Sequence, residues 1–228
     1  MKNVKRLPIP NSLRENAKTW TDDLLTAIDN HKKKGEEIPI SLKNQYKQDD
    51  VLETLKQMYS DGYGTYFCCY CETPIEPVSY PQIEHRKPKD INLFPEDTFN
   101  WDNLHLVCQT CNTSKRTKWD YEHEILDAVV DVPIEEHLGY KVEFPEGIFR
   151  ETLSNRGITT KEHADLNRKS LRLARLKLYG PIQEKIQEII SLGGDPKSNT
   201  AKEILIEKCK GQHGSLVKWL LKKWKVIE

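Results

Sequence analysis

The chain has 228 residues, of which 37% are hydrophobic, and this is enough for a modest core in one globular domain with a helical extension. Its 35 basic and 35 acidic residues cancel to a formal net charge of zero. This balance argues against a protein that binds nucleic acid over its whole surface, because nonspecific affinity for nucleic acid comes from lysine and arginine side chains that neutralise phosphates. Nucleic-acid contacts are therefore expected in local patches or through a partner.

Residues 1–61 are predicted to form an arm followed by helices. Two prolines disfavour helix within residues 1–11, and Ser12 then forms a capping box with the acid three residues later. Apolar residues recur at intervals of three and four up to a lysine run and Gly35, which should end the first helix. A second helix is predicted over residues 41–60.

Four cysteines give the strongest signal in the chain. They form two Cys-x-x-Cys pairs, Cys68/Cys71 and Cys108/Cys111. Each turn of this kind places two sulfurs close together, and two turns complete the tetrahedral, all-sulfur shell that structural Zn²⁺ prefers. The chain opens with polar, charged residues, so a reducing cytoplasm is expected and disulfides are not. Structural zinc is predicted, with Cys69 as an alternative ligand.

The interval between the two pairs carries the candidate chemistry. Glu84 and His85 follow an apolar, extended run, and β-type alternation resumes over residues 101–107 before the second cysteine pair. From Asn112 to Trp119 the chain lacks glycine and proline and is expected to open a helix. The predicted order is strand, loop, strand, helix, and it would bring Glu84, His85 and Asn112 to one small site.

This motif order resembles the HNH endonuclease family, whose shared core is a ββα-metal finger. The residues that carry the resemblance are Cys-x-x-Cys, Glu-His-x-x-Pro, Asn-Leu and Cys-x-x-Cys-Asn-x-x-Lys. Matched to the motif, His85 takes the first histidine position, Asn103 the central asparagine and Asn112 the last position, while Glu84 falls where many members carry aspartate. The resemblance implies an α+β, mainly helical protein in which helical segments flank a zinc-stapled finger.

The residue types suit phosphodiester hydrolysis. His85, with an unperturbed pKa of about 6.5, is expected to accept a proton from water at neutral pH. Glu84 and Asn112 supply hard oxygen ligands for a catalytic Mg²⁺ or Mn²⁺, and Asn103 is expected to hydrogen-bond the loop backbone and fix His85. Basic contacts to nucleic acid are predicted at Lys115, Arg116, Arg86 and Lys89.

The sequence around Ile83-Glu84-His85 and Pro88-Lys89 is similar to that of the HNH subunit of Septu-type antiphage systems (PtuB-like), also found beside retrons. This narrower resemblance implies an effector subunit that a PtuA-like ATPase partner controls. DNA is taken as the favoured substrate, and the sequence itself does not distinguish DNA from RNA. Two alternatives stay open: a toxin-like HNH nuclease that cleaves RNA, and a zinc module that binds nucleic acid without cutting it. A cytoplasmic location without a membrane partner is expected.

The C-terminal region is predicted to be mainly helical, after a loop or short strand around residues 132–147. A long helix should begin at Thr159 and carry a dense basic patch, and a new helix should restart at Gly180 and run to Gly193–Gly194. Further helices are expected over residues 201–208 and 215–226, the last packing on the body or a partner. The predicted divisions are 1–61 (arm and helices), 62–125 (HNH core with structural zinc) and 126–228 (C-terminal helical region).

Overall fold

A computed structural model describes residues 1–77, 79–191, 195, 198, 203, 205 and 207–228. Its helices are α1 (Asn11–Lys34), α2 (Ile40–Asn44), α3 (Asp49–Met58), α4 (Gln109–Lys115), α5 (Asn155–His163), α6 (Lys169–Ser191) and α7 (Gly214–Lys223). Its strands are β1 (Gln82–His85), β2 (Leu104–Val107), β3 (Leu138–Glu143) and β4 (Gly147–Thr152). Within these described residues, no helix combines the length and apolar character needed to cross a membrane.

The strands β1 and β2 and the helix α4 form the ββα unit that the sequence predicts. The two strands pair antiparallel, with Ile83 opposite Leu106 and His85 opposite Leu104. Both leucines are fully buried, and α4 packs against β1. The predicted order of strand, loop, strand and helix is confirmed, and it brings the end of β1 beside α4.

The boundaries of α1 confirm one prediction and correct another. Gly35 ends the helix in a left-handed conformation (φ 71°), and its N–H donates to the carbonyl of His31. The predicted capping box is wrong, because Ser12 lies inside the helix and its hydroxyl and amide contact Asp50 at 2.6 and 2.9 Å. Ser12 therefore ties α1 to α3 instead of capping α1.

The single helix predicted over residues 41–60 is also wrong, because Gln45–Gln48 separate α2 from α3. Tyr46 lies in this bend and is only 4% exposed, so the chain must leave the helical path to bury the ring. Two acids, Asp49 and Asp50, then occupy the first turn of α3, where the helix dipole favours negative charge. The bend places Tyr46 against the finger.

The region after the finger contains a hairpin and a second core. β3 and β4 pair antiparallel with Lys141 opposite Phe149, where the sequence predicted only a loop or short strand. On α7, the buried residues Leu216 and Leu220 pack into this second core, which places the predicted apolar stripe on the body of the protein.

Two helix boundaries in this region differ from the prediction. The helix expected from Thr159 is interrupted between α5 and α6, because the chain turns to bury Ala164 and Leu166 in the first core. No helix restarts at Gly180, since α6 continues through Pro181, whose neighbour Ile182 is buried in the second core. The expected helix end at 193–194 and most of the helix over 201–208 lie outside the described residues.

Two hydrophobic cores organise the described residues. The first joins α1, α3 and the finger, and the second joins β3, β4, the end of α6 and α7. Between them, the buried carboxylate of Glu72 accepts hydrogen bonds from Arg150 Nη2 at 2.7 Å and from the Ser215 amide at 2.8 Å. The N-terminal helices therefore share one core with the finger, whereas the divisions at 61 and 125 stay predictions.

Candidate metal centre and active site

The four predicted zinc ligands lie together in the structure. Their ligand atoms are all within 4.8 Å of one another, and all four residues are buried. The sulfurs of Cys71 and Cys108 are 3.8 Å apart. Two sulfurs that each bond a shared tetrahedral zinc at about 2.3 Å are expected to lie roughly this far apart. All six cysteines are unpaired thiols, so the donor set fits structural Zn²⁺.

Local backbone geometry presents these sulfurs. The Cys68 amide donates to the carbonyl of Thr73 at 3.0 Å and closes the first turn, while Cys108 precedes α4 and accepts at its carbonyl from Asn112 N at 3.1 Å. The guanidinium of Arg168 lies 3.6 Å from the sulfur of Cys111 and offers a positive charge to the thiolates. Cys69, the alternative ligand, is buried outside the four-sulfur cluster.

His85 is held in one tautomer. Its Nε2 lies 2.9 Å from the carbonyl oxygen of Thr98, and because a carbonyl only accepts, Nε2 must carry the hydrogen. Nδ1 then carries the lone pair, and no hydrogen bond from the described residues reaches it. The Tyr46 ring and the imidazole pack edge to face, with ring centroids 4.5 Å apart. The ring is therefore fixed on two sides.

Burial is the main cause that lowers the pKa of His85 to about 3, and the positive charge of Lys89 adds to it. The imidazole is therefore neutral at neutral pH and able to accept a proton. An anionic phosphate in the site would oppose this shift, because a nearby negative charge favours the protonated ring. The proton affinity of His85 should thus rise when substrate binds.

Asn103 fixes the loop between the two strands. Its side-chain oxygen accepts from the Lys87 amide at 2.7 Å, and its side-chain nitrogen donates to the carbonyls of Lys87 and Asp97, both at 3.0 Å. Asn103 is 4% exposed and does not line the cleft described below. Its bonds hold the loop that carries the Thr98 carbonyl, and so act on His85 indirectly.

Glu84 and Lys115 form a buried ion pair. Lys115 Nζ lies 2.6 Å from Glu84 Oε1 and donates to the His85 carbonyl at 2.9 Å. Burial raises the pKa of Glu84, and the Lys115 charge opposes that rise. Lys115 is 0% exposed, so its ammonium fastens α4 to β1 and does not reach the surface where a phosphate was predicted to meet it.

The other three predicted basic contacts divide into two kinds. Arg86 donates to Glu124 Oε2 at 3.0 Å and to the Ile125 carbonyl at 3.1 Å, so it anchors the segment after the finger. Arg116 and Lys89 instead line the cleft beside His85, and Arg116 is exposed. Only these two of the four predicted basic residues face the space in front of the histidine.

A cleft of about 380 Å³ brings the candidate residues together. Glu84, His85 and Asn112 form part of its lining, so the three predicted residues share one cleft. The opposite wall comes from the N-terminal region, through Leu24, Ile28, Lys43 and Tyr46. A second cavity of about 470 Å³ shares Tyr46, Ile83, Lys89 and Asn112 with the first. The two cavities therefore adjoin beside Asn112.

The donor set in the cleft fits a catalytic divalent cation. Glu84 offers a carboxylate and Asn112 an amide oxygen, which are the hard ligands that Mg²⁺ and Mn²⁺ prefer. Because Oε1 of Glu84 faces Lys115, the second carboxylate oxygen is the one available to an ion. Two protein ligands would leave the remaining coordination positions for water and phosphate oxygens.

Sequence reasoning missed two residues that hold His85. Thr98 acts through its backbone carbonyl, for which no side-chain signal exists in the sequence. Tyr46 falls inside the helix predicted over residues 41–60, because an aromatic residue between a glutamine and a lysine gives no sign of a bend. Both residues reach the histidine only through tertiary packing.

A ββα unit held by four thiols, with a histidine at the end of β1 and an asparagine on α4, has the arrangement of a ββα-metal finger. Residues 68–118 match the model of the HNH endonuclease family. The chain is also similar to the Septu protein PtuB of Bacillus mycoides (strain KBAB4), with 30% identity over 177 residues. The similarity covers 64% of this chain and 56% of that protein, so the chain spans little more than half of its curated relative.

Proposed function

We propose that the chain is a metal-dependent endonuclease that hydrolyses phosphodiester bonds in nucleic acid, with DNA as the favoured substrate. The observation that carries this proposal is the arrangement of His85, whose Nε2–H is held by Thr98 while the ring lines a cleft with Glu84 and Asn112. The match of residues 68–118 to the HNH endonuclease family supports it.

The chemistry follows from what each side chain offers. A phosphodiester is anionic and its leaving alkoxide is poor, so hydrolysis needs a base for water and a cation at the departing oxygen. Mg²⁺ or Mn²⁺ held by Glu84 and Asn112 would supply that charge stabilisation. His85 Nδ1 accepts the proton of the attacking water, and the Thr98 carbonyl stabilises the resulting imidazolium through Nε2–H. General base catalysis of this kind contributes on the order of 10²–10⁴-fold.

We further propose that the chain is the effector subunit of an antiphage system in the cytoplasm. The likeness to a protein named Septu protein PtuB supports this setting. An ATPase partner of the PtuA type, in some systems beside a retron, would control cutting. A net charge of zero supports such an arrangement, because a partner could then supply much of the affinity for nucleic acid.

The experiment is cleavage of plasmid DNA and of total RNA with Mg²⁺ or Mn²⁺, by the wild-type protein and by His85→Ala. Each reaction is run with and without a candidate ATPase of the PtuA type. We expect the wild type to cut DNA and His85→Ala to lose about 10²-fold or more of the rate. The matched control is His31→Ala, which removes an exposed imidazole and should leave cleavage unchanged.

The outcomes separate the alternatives. Cutting of RNA alone would replace DNA as the substrate, and full activity of His85→Ala would overturn the assignment of the base. A folded, zinc-loaded wild type that cuts neither substrate under any condition would identify a binding module instead of a nuclease. Zinc content and circular dichroism of each variant show whether a lost activity reflects chemistry or unfolding.

A further inference from the structure

Three lysines line the two adjoining cavities beside His85. Lys43 lies on α2, Lys47 lies in the bend after it, and Lys89 follows β1. Lys43 and Lys89 line the first cavity, while Lys47 and Lys89 line the second. Lys43 and Lys47 fall outside residues 68–118, so the N-terminal region adds this wall to the HNH domain.

Tyr46 connects the Lys89 ammonium to the histidine. Lys89 Nζ donates to the Tyr46 hydroxyl and to the Lys43 carbonyl, both at 2.9 Å, and it lies 4.3 Å from the centre of the Tyr46 ring. The same ring packs edge to face with the imidazole of His85. An ammonium has three donors, and these contacts use two, so one N–H remains for a ligand.

The positive charge at this place is not balanced by the protein. Lys89 is partly buried, and its two hydrogen-bond partners are neutral. Glu84, Asp49 and Asp90 also line the cavities. The Glu84 carboxylate is paired with Lys115, the Asp90 carboxylate accepts from the Asn92 amide, and no described carboxylate lies within ion-pair distance of the three lysines. A partly buried charge needs a partner, and in a chain of zero net charge this local excess indicates an anionic ligand.

We propose that Lys43, Lys47 and Lys89 form a phosphate subsite that holds the nucleic-acid backbone beside the bond that His85 faces, with Tyr46 as its positioning residue. The inference rests on the proposed nuclease function. The two adjoining cavities give an extended path for a strand, and Lys89 lies where they meet. The subsite recognises phosphate and not base identity, so DNA and RNA are both admitted by its chemistry.

The test is binding of fluorescent DNA and RNA oligonucleotides by fluorescence anisotropy over a range of salt concentrations. His85→Ala serves as the parent protein, so that cutting does not interfere. Into this parent we introduce a subsite triple substitution, Lys43→Gln, Lys47→Gln and Lys89→Gln. A control triple substitution removes the same charge from the end of α7 and beyond it, with Lys222→Gln, Lys223→Gln and Lys225→Gln.

We expect the subsite triple to weaken binding by about tenfold or more and to reduce the salt dependence, because each lost phosphate contact on duplex DNA lowers the slope of log affinity against log salt by about 0.9. The control triple should match the parent. Lys47→Gln alone changes an exposed side chain, so it should lower the slope by about one unit without any effect on folding.

Tyr46→Phe tests the positioning role in the protein that retains His85. This change keeps the ring against the imidazole but removes the hydroxyl that holds Lys89, so KM for cleavage should rise several-fold while kcat stays unchanged. A fall in kcat with an unchanged KM would assign Tyr46 to the histidine alone and overturn its link to the subsite. Zinc content should stay at the wild-type level.

The outcomes distinguish this inference from the proposed function. Loss of binding in the subsite triple of a protein that never cuts would support the subsite while the nuclease function fails. Equal affinity and salt slope in the triple and the parent would overturn the subsite even if the wild type is an active nuclease. Absence of binding by the parent at about 50 mM salt would also overturn it, since phosphate contacts are strongest at low salt.

Discussion

The zinc centre and the cleft occupy the same finger but are built in different ways. The zinc centre takes four identical donors from two short turns, each with its cysteines three residues apart. The cleft takes its lining from α1, the α2 segment, β1, the following loop and α4. The first site is therefore encoded by local spacing, whereas the second exists only after the N-terminal helices have packed on the finger.

The two sites also differ in electrostatics. Four thiolates around a divalent zinc would leave excess negative charge, and Arg168 lies within 3.6 Å of one sulfur to offset it. The cleft has the opposite excess, because Lys43, Lys89 and Arg116 line it. The charge of the zinc centre is thus partly compensated by the protein, while the cleft leaves positive charge for a ligand.

The largest effect is expected from substitution of a zinc ligand. Cys71→Ser or Cys108→Ser removes one of four sulfurs and should unfold the finger, because structural zinc contributes roughly 10–16 kcal/mol in small zinc domains. The measurements are zinc content and thermal unfolding. Cys209→Ser is the control, since this thiol lies outside the cluster and should leave both unchanged. Retention of one zinc per chain by either ligand variant would contradict the assignment.

The next largest effect is expected when the buried Glu84–Lys115 ion pair beside the cleft is removed while the zinc ligands stay unchanged. Lys115→Met should destabilise the protein by about 3–5 kcal/mol, because it leaves the Glu84 carboxylate buried without its partner. The free energy of unfolding in urea measures the loss, and Lys118→Met at an exposed position is the control. Adding Glu84→Gln to Lys115→Met should recover part of the loss. A single variant as stable as the wild type would show that the pair adds nothing.

The sequence predicts the zinc centre more completely than it predicts the cleft. The apolar run before Glu84, the β-type alternation over residues 101–107 and the helix expected from Asn112 predict the ββα order that the structure has. Glu84, His85 and Asn112 then line one cleft. The spacing of Lys115, one turn after Asn112, suggested a phosphate contact, but the side chain turns inward to Glu84. The spacing of two residues along a helix determines whether they lie on the same face. It does not determine whether that face is buried.

The N-terminal wall was not predictable for a related physical reason. Residues 41–60 have an apolar periodicity that one helix satisfies, and only the burial of Tyr46 against His85 makes the break at Gln45–Gln48 favourable. The energy that bends the chain comes from contacts with residues about forty positions away. Local propensity cannot report a gain that depends on such a distant partner.

The smallest expected effect is a pH dependence that belongs to the cleft alone. Burial, together with the charges of Lys47 and Lys43, lowers the pKa of Lys89 to about 8, while burial raises the pKa of its partner Tyr46 to about 12. Phosphate contact needs the protonated ammonium. Therefore kcat/KM, which reports the free enzyme, should be full about a pH unit or more below pH 8 and should fall by about tenfold as the pH rises through and beyond pH 8.

Lys89→Arg tests the origin of this alkaline fall. A guanidinium stays charged throughout the accessible pH range, so the fall should disappear even if the overall rate is lower. Lys47→Arg is the control, because it keeps the charge that lowers the pKa of Lys89 and should leave the profile in place. An alkaline fall that persists in Lys89→Arg would assign the ionisation to another group. The cleft would then still bind phosphate, but without Lys89 as the contact whose charge is lost.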